Sequence, residues 1–194
     1  MFLTIVLLGL SVACSSGWNS KDRCLVCYPA RSGEHLATFE KTNDTFAIRT
    51  LVFREKSFGY WSATLLGAHY IFETRGQGDE EWREFMAFRH DNPEPINEDR
   101  SKFVNDRVTF VNDQVAFVYM GWMYAVTIDA GKTWNTWNGL EYPFQKGRMG
   151  YDGIRDVELL ANGAGVMKIR LIGNDDLTEL HTNDNGVSWN VDVK

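Results

Sequence analysis

The sequence predicts an all-β protein, built from blade-like repeats of four antiparallel strands and forming a small or incomplete β-propeller. Three observations predict it. The pattern Thr-x-Asp-x-Gly-x-x-Trp occurs twice, as TIDAGKTW from Thr127 to Trp134 and as TNDNGVSW from Thr182 to Trp189, each member recurring 55 positions later. Each copy follows runs in which apolar and polar residues alternate, the period of a strand with one face toward a core. Tight-turn signals separate those runs at short intervals.

The chain divides into three parts: residues 1–13 as a signal peptide, 14–32 as a tether and 33–194 as the repeat domain. The start, MFLTIVLLGLSVACSS, carries an apolar run from Phe2 to Ala13. That run is too short for a membrane-spanning helix and has the length of a signal-peptide core. It ends in Ser11-Val12-Ala13-Cys14, which resembles a bacterial lipobox. The resemblance implies cleavage before Cys14 and lipid on its thiol and new amino terminus. Ser15 in place of Asp implies, by the same resemblance, the outer membrane. Two features depart from the pattern: the usual Leu sits one place early, at Leu10, and no Lys or Arg precedes the run. An ordinary secretory signal or a buried first strand are the alternatives. Cys24 and Cys27, in RCLVC, allow a redox pair, half a zinc site or a small disulfide. Export makes the local disulfide the simplest of these.

The first half of the domain is the less regular. ATFEKTNDTFAIRTLVFR and YWSATLLGAHYIFETR alternate as strands do. EEWREFMAFRHD reads either as a strand with Trp82, Glu84, Met86 and Phe88 on one side, or as a short helix through Trp82, Phe85 and Met86. His90 to Arg100 holds two prolines and several acids and reads as a loop between halves.

The second half is regular. Val108 and Phe110 alternate with polar residues, Asn112-Asp113 marks a turn, and Val115, Phe117 and Tyr119 alternate with Ala116, Val118 and Met120. Gly121, a run to Ile128, the first repeated loop and a run through Trp137 complete four strands. The plan then recurs. Val157 and Leu159 alternate with acids, Asn162-Gly163 signals a hairpin, Met167, Ile169 and Leu171 alternate with Lys168 and Arg170, and Leu180 leads into the second loop. The first strands are offset by 49 and the loops by 55. The second unit therefore carries six extra residues, placed around Asn174-Asp175-Asp176.

The repeated loop resembles the Asp-box of sialidase-type repeat proteins. Physical chemistry agrees with that resemblance. The carboxylates of Asp129 and Asp184 can accept backbone N–H groups two or three residues on and close a turn. Gly131 and Gly186 permit positive φ. Trp134 and Trp189 can fold beneath the turn, each indole N–H meeting a carbonyl, and Thr127 and Thr182 offer hydroxyls. In the family these boxes join the third and fourth strands of a blade, far from the active face. They are therefore expected to be structural staples. A metal at Asp129 or Asp184 is not expected, because neither loop clusters enough oxygens for calcium.

No catalytic constellation stands out. A sialidase resembles a six-bladed propeller with an arginine triad, and residues 33–194 provide only three or four blades. Arg49, Arg54 and Arg155 have no spacing that marks such a triad. There is no G-x-S-x-G, no H-E-x-x-H and no phosphate loop. Glu80-Glu81 and Asp175-Asp176 could serve as paired carboxylates, but both lie beside Gly, Asp or Asn and read as solvated turns. No cofactor, metal or catalytic residue is expected.

The net charge of -6 and a pI of about 5.2 argue against nucleic acid as a partner. Aromatic residues exceed what two boxes need: Tyr60, Trp61, Trp82, Trp122, Trp137 and Tyr142. Most fit a core between blades, and some fit a protein-binding surface. Lipobox, length and Asp-box blades together resemble the Tli-type immunity lipoproteins paired with type VI secretion phospholipase effectors. The resemblance implies a periplasmic protein, held to the outer membrane only by its lipid, that occludes an incoming phospholipase. Candidate partner contacts are Trp61, Trp82 and Tyr142 as anchors and Glu80, Glu81 and Glu94 as steering acids. The alternatives are a propeller-type lipoprotein of envelope assembly or maintenance, and a glycan-binding module.

Overall fold

The computed structural model describes residues 33–55, 68–90, 106–138, 151–171 and 176–191. They form three four-stranded antiparallel meanders, each with its strands in chain order. The first sheet comprises β1 (Gly33–Thr42), β2 (Phe46–Glu55), β3 (Ala68–Gly76) and β4 (Arg83–His90). The second comprises β5 (Val108–Phe110), β6 (Ala116–Met120), β7 (Met123–Thr127) and β8 (Asn135–Asn138). The third comprises β9 (Tyr151–Leu159), β10 (Gly165–Leu171), β11 (Leu177–Thr182) and β12 (Asn190–Val191). The architecture is all-β and blade-like, with no sheet closed into a barrel. Cys14, Cys24, Cys27, Trp61, Glu94 and Tyr142 lie outside the described residues, as do residues 91–100 of the expected loop, whose first residue, His90, closes β4 instead.

The three sheets stack face to face around two cores. Phe46, Ile48, Val52, Tyr70, Phe72, Met86 and Phe88 of the first sheet meet Val108, Ala116, Val118, Met120, Met123 and Ala125 of the second. The other face of the second sheet, with Phe117, Tyr119, Tyr124 and Val126, meets Ile154, Val157, Leu159, Met167, Ile169 and Leu180 of the third. Every residue of β6 and β7 is therefore buried. That is why those strands are apolar at successive positions rather than at every second one. Trp122 packs against both cores and Trp137 against the second, as surplus aromatics between blades should.

The outward face of the third sheet is different. Asp156, Glu158, Lys168, Arg170, Glu179 and His181 alternate with its buried residues, and Asp156 and Lys168 are register partners. A row of charges is a poor surface on which to pack another apolar sheet.

Two readings of the sequence are resolved. Within EEWREFMAFRHD, Arg83–His90 is a strand, but not the flat one expected. A register shift between Phe72 and Glu73 leaves Phe85 as a bulge. Met86 and Phe88 enter the core, while Glu84, opposite Glu73, and Trp82 lie on the opposite face. One extra residue reverses side-chain alternation. The six extra residues of the third sheet are not confined to one loop. β10 and β11 are longer than β6 and β7, and the segment between them is longer than Gly121-Trp122.

Topology also sorts the connections. Those at 43–45, 77–82, 111–115, 128–134, 160–164 and 183–189 are short and share one end of the stack. At the other end β2, β4, β6, β8 and β10 finish, and most of the connections there, 56–67, 91–107, 121–122, 139–150 and 172–176, are longer. Trp61, Glu94 and Tyr142 belong to these longer connections, and Glu80 and Glu81 to a short one.

Candidate functional site: three turns at one end of the stack

The first repeated turn joins β7 to β8 and the second joins β11 to β12. Each places the third and fourth strands of its sheet beside the hairpin of the first two. The hydrogen bonds of the two are the same, atom for atom. Thr127 Oγ1 donates to Asp129 Oδ1 at 2.9 Å and accepts from Gly131 N–H at 2.9 Å. Thr182 Oγ1 donates to Asp184 Oδ1 at 2.7 Å and accepts from Gly186 N–H at 3.1 Å. Asp129 accepts the Thr133 N–H at 2.9 Å and hydroxyl at 2.6 Å. Asp184 accepts the Ser188 N–H at 3.0 Å and hydroxyl at 2.6 Å.

The carboxylate thus reaches a side chain and an N–H four residues on, further than the two or three expected. The turn is wide because two successive residues have positive φ, Ala130 at 58° with Gly131 at 76°, and Asn185 at 60° with Gly186 at 78°. Partial burial raises the pKa of both carboxylates, yet the bonds around each outweigh it. For Asp129 these come from Thr133, Thr127 and the Lys132 N–H, and for Asp184 from Ser188, Thr182 and the Val187 N–H. Both end below the usual Asp value.

The turns also fasten sheets to one another. A Cβ on Gly131 would lie 2.5 Å from Thr74 Oγ1 and 2.9 Å from the Phe46 ring of the first sheet. Trp134 stacks on Phe85 with ring centroids 3.7 Å apart and planes 4° from parallel, and Arg83 reaches the Gly131 carbonyl at 3.5 Å. In the third sheet, a Cβ on Gly186 would meet the Tyr124 hydroxyl at 2.2 Å, and Trp189 lies edge-on to Tyr124 at 5.6 Å. Each turn is therefore clamped onto the preceding sheet. The indole of Trp134 is held by stacking, and its N–H meets no carbonyl among the described residues, contrary to the expectation for this ring.

A third turn of the same construction joins β3 to β4. Two backbone bonds in each turn define the shared frame. Gln77, Ala130 and Asn185 donate N–H bonds to Thr45, Gln114 and Gly163 of the adjoining hairpins, and Asp79, Lys132 and Val187 donate to Gly76, Asp129 and Asp184. Gly78 has a φ of 86° and occupies the place of Gly131 and Gly186. The hairpins match as well. Asn43 Oδ1 accepts the Thr45 and Phe46 N–H groups, Asn112 Oδ1 those of Gln114 and Val115, and Asn162 Oδ1 that of Ala164.

This first turn escapes the sequence pattern for two reasons. Gly76 stands where the repeated Asp would, and the Asp79 carboxylate fills that space, its Oδ2 2.7 Å from a Cβ placed on Gly76. Trp82 follows Thr74 by one residue more than Trp134 follows Thr127. The legible signal was Thr74 followed at the fourth position by Gly78, with Asn43-Asp44 echoing Asn112-Asp113.

Of the partner-contact candidates, Glu80 and Glu81 are exposed in this turn and Trp82 is half-buried. Arg49 lies 4.3 Å and Arg75 4.5 Å from the Trp82 ring centroid. Arg49 is ion-paired with the buried Glu73, and Arg75 with Glu40 at 3.7 Å. Arg49, Arg54 and Arg155 do not form a triad: Arg49 is bound to Glu73, Arg54 pairs with Glu34 at 3.2 Å, and Arg155 is in another sheet. Among the described residues no group of three or more His, Cys, Asp or Glu is placed to hold a metal ion. No family model, no curated protein and no solved structure matches the chain.

Proposed function

We propose that the protein is an immunity lipoprotein of the Tli type, a periplasmic binder that blocks a type VI secretion phospholipase effector by covering its active-site entrance. The observation that carries the reading is the pair of Asp-box turns set in blade-like sheets, in a chain whose first residues end in a lipobox-like Ala13-Cys14. Lipid on Cys14 would hold the protein to the outer membrane.

The site chemistry is compatible with binding rather than turnover. The two box carboxylates are consumed by their own turns, and Arg49 by Glu73. A rigid stack of this kind offers preformed surfaces, which lowers the ordering cost of association. Protection from a toxin calls for nanomolar affinity or better, about -12 kcal/mol.

The experiment is a competition. The gene is deleted and the strain is challenged by its toxin-delivering parent. Death of the deletion strain, and rescue by the intact gene, is the expected result. Equal survival of deletion strain and parent would remove the reading. An operon of envelope-assembly genes around the locus would point instead to the envelope-maintenance alternative, and a cluster of carbohydrate-active genes to a glycan-binding module.

A further inference from the structure

Three turns of one construction stand at the same end of the stack, and one of them has been rebuilt. The turns of the second and third sheets are wedged into the preceding sheet at Gly131 and Gly186. The first sheet's turn is not: nothing lies within 4 Å of a Cβ placed on Gly78. Gln77, Gly78, Asp79, Glu80 and Glu81 are all exposed, the longest exposed run among the described residues. The turn has gained a residue before its tryptophan, and Asp79, Glu80 and Glu81 fill the three positions between Gly78 and Trp82. Among the described residues its Trp82 stacks on no ring of a neighbouring sheet and is held on its own sheet by Arg49 and Arg75.

We propose that the turn Gly76–Trp82 is the element through which the protein contacts its partner, with Glu80 and Glu81 meeting a basic protein surface and Trp82 as the adjoining aromatic anchor. The inference rests on the immunity reading and names the contact it leaves open. Where a local rule is kept twice and broken once, the break marks the copy released from a purely structural duty. The frame of the turn is intact, so the acids are presented from a rigid base. Trp and Arg are the side chains that most often carry binding energy, and here they are prearranged. Two carboxylates on a rigid, uncovered turn favour approach of a positively charged surface. They disfavour an anionic membrane surface for the same reason.

The test uses the competition described above, with the parent strain as attacker and the deletion strain as prey. The prey carries the intact gene, the double variant Glu80→Lys/Glu81→Lys, Trp82→Ala, or Glu158→Lys/Glu179→Lys on the outward face of the third sheet as a control of equal charge. Thermal melts of the purified chains establish that each charge variant is folded. The expected result is at least a tenfold drop in prey survival with Glu80→Lys/Glu81→Lys and with Trp82→Ala, and full protection by the control. The inference is overturned, and the immunity reading stands, if Glu80→Lys/Glu81→Lys protects as well as the intact gene, or if the control loses as much. If the intact gene itself gives no protection, the immunity reading fails and takes this inference with it. Trp82→Ala can lose protection through misfolding, so the folded charge variant decides.

Discussion

Asp129 shows how much one side chain can do in a turn. Its two oxygens hold the Thr127 hydroxyl, the Thr133 hydroxyl and the Thr133 N–H. Asp129→Ala removes all three bonds and should destabilise the fold by about 1–3 kcal/mol, read as a lowered melting temperature. Protection in the competition should be unchanged at temperatures where the variant is folded. A variant with parental stability and no protection would show that Asp129 contacts the partner. The sign of the pH effect follows from the pKa direction. A carboxyl whose folded pKa lies below its unfolded value stabilises the fold above the unfolded value and loses that contribution as pH falls through the folded one. Asp129 and Asp184 should therefore add an acid-side loss that begins below about pH 4. Asp129→Asn/Asp184→Asn should show a shallower loss of stability between neutral and acid pH. An unaltered acid limb would mean that these carboxylates do not titrate with folding.

Tyr124 presents the opposite case. Its ring is fully buried, and its hydroxyl has no hydrogen-bond partner among the described residues. Burial pushes the phenol pKa well up, and the Asp184 carboxylate adds to it. A hydroxyl that is desolvated without a partner costs free energy. Tyr124→Phe should leave stability unchanged or raise it in urea denaturation. A loss of more than about 1 kcal/mol would reveal a bond to the hydroxyl.

At the scale of elements, a pair of glycines separates the clamp from the bare turn. Gly131→Ala meets both a left-handed backbone, at 76°, and the Thr74 and Phe46 side chains of the next sheet. Gly78→Ala meets only the backbone, at 86°, with open space around it. The left-handed region costs a non-glycine residue about 1–2 kcal/mol, and overpacking about 1–3 kcal/mol more. Gly131→Ala should therefore destabilise more than Gly78→Ala in thermal melts, and equal losses would mean that the β7–β8 turn does not clamp the first sheet. The same contrast explains what the sequence could and could not reveal. The turns at Thr127 and Thr182 were legible because each keeps its Asp, Gly and Trp at fixed spacing. The first turn was not, because Asp79 replaces an absent neighbour from three residues along and Trp82 is displaced by one. The bulge at Phe85 was equally hidden. It depends on which residue β3 sets opposite Glu84, and no local pattern records that.

At the scale of the molecule, the second sheet is the hub. Both its faces are buried, one in each core. Among the described residues no buried cluster joins the first sheet to the third. That neighbour-to-neighbour arrangement is not legible in the sequence: the successive apolar residues of β6 and β7 read as an alternation, and the partners covering the two faces are not encoded locally. Attachment of the molecule to a membrane is a separate prediction, because among the described residues no helix is long and apolar enough to cross one. Cys14→Ser should release the protein from the membrane fraction on ultracentrifugation. Retention of the variant with membranes, or an unmodified thiol by mass spectrometry, would rule out lipid at Cys14.

The charged outward face of the third sheet has a consequence for how the protein is made. Strand pairing within each meander joins neighbours in the chain, and each sheet leans on the one completed before it, so assembly can follow the order of synthesis. The first meander can form while the third is still being translated, and the second is covered when the third arrives. The third sheet differs from the second in that its outward face is not apolar at successive positions. Its row of Asp156, Lys168 and Glu179 is a surface that water can wet, so a chain in which the third sheet has just formed does not offer its neighbours a sticky face there.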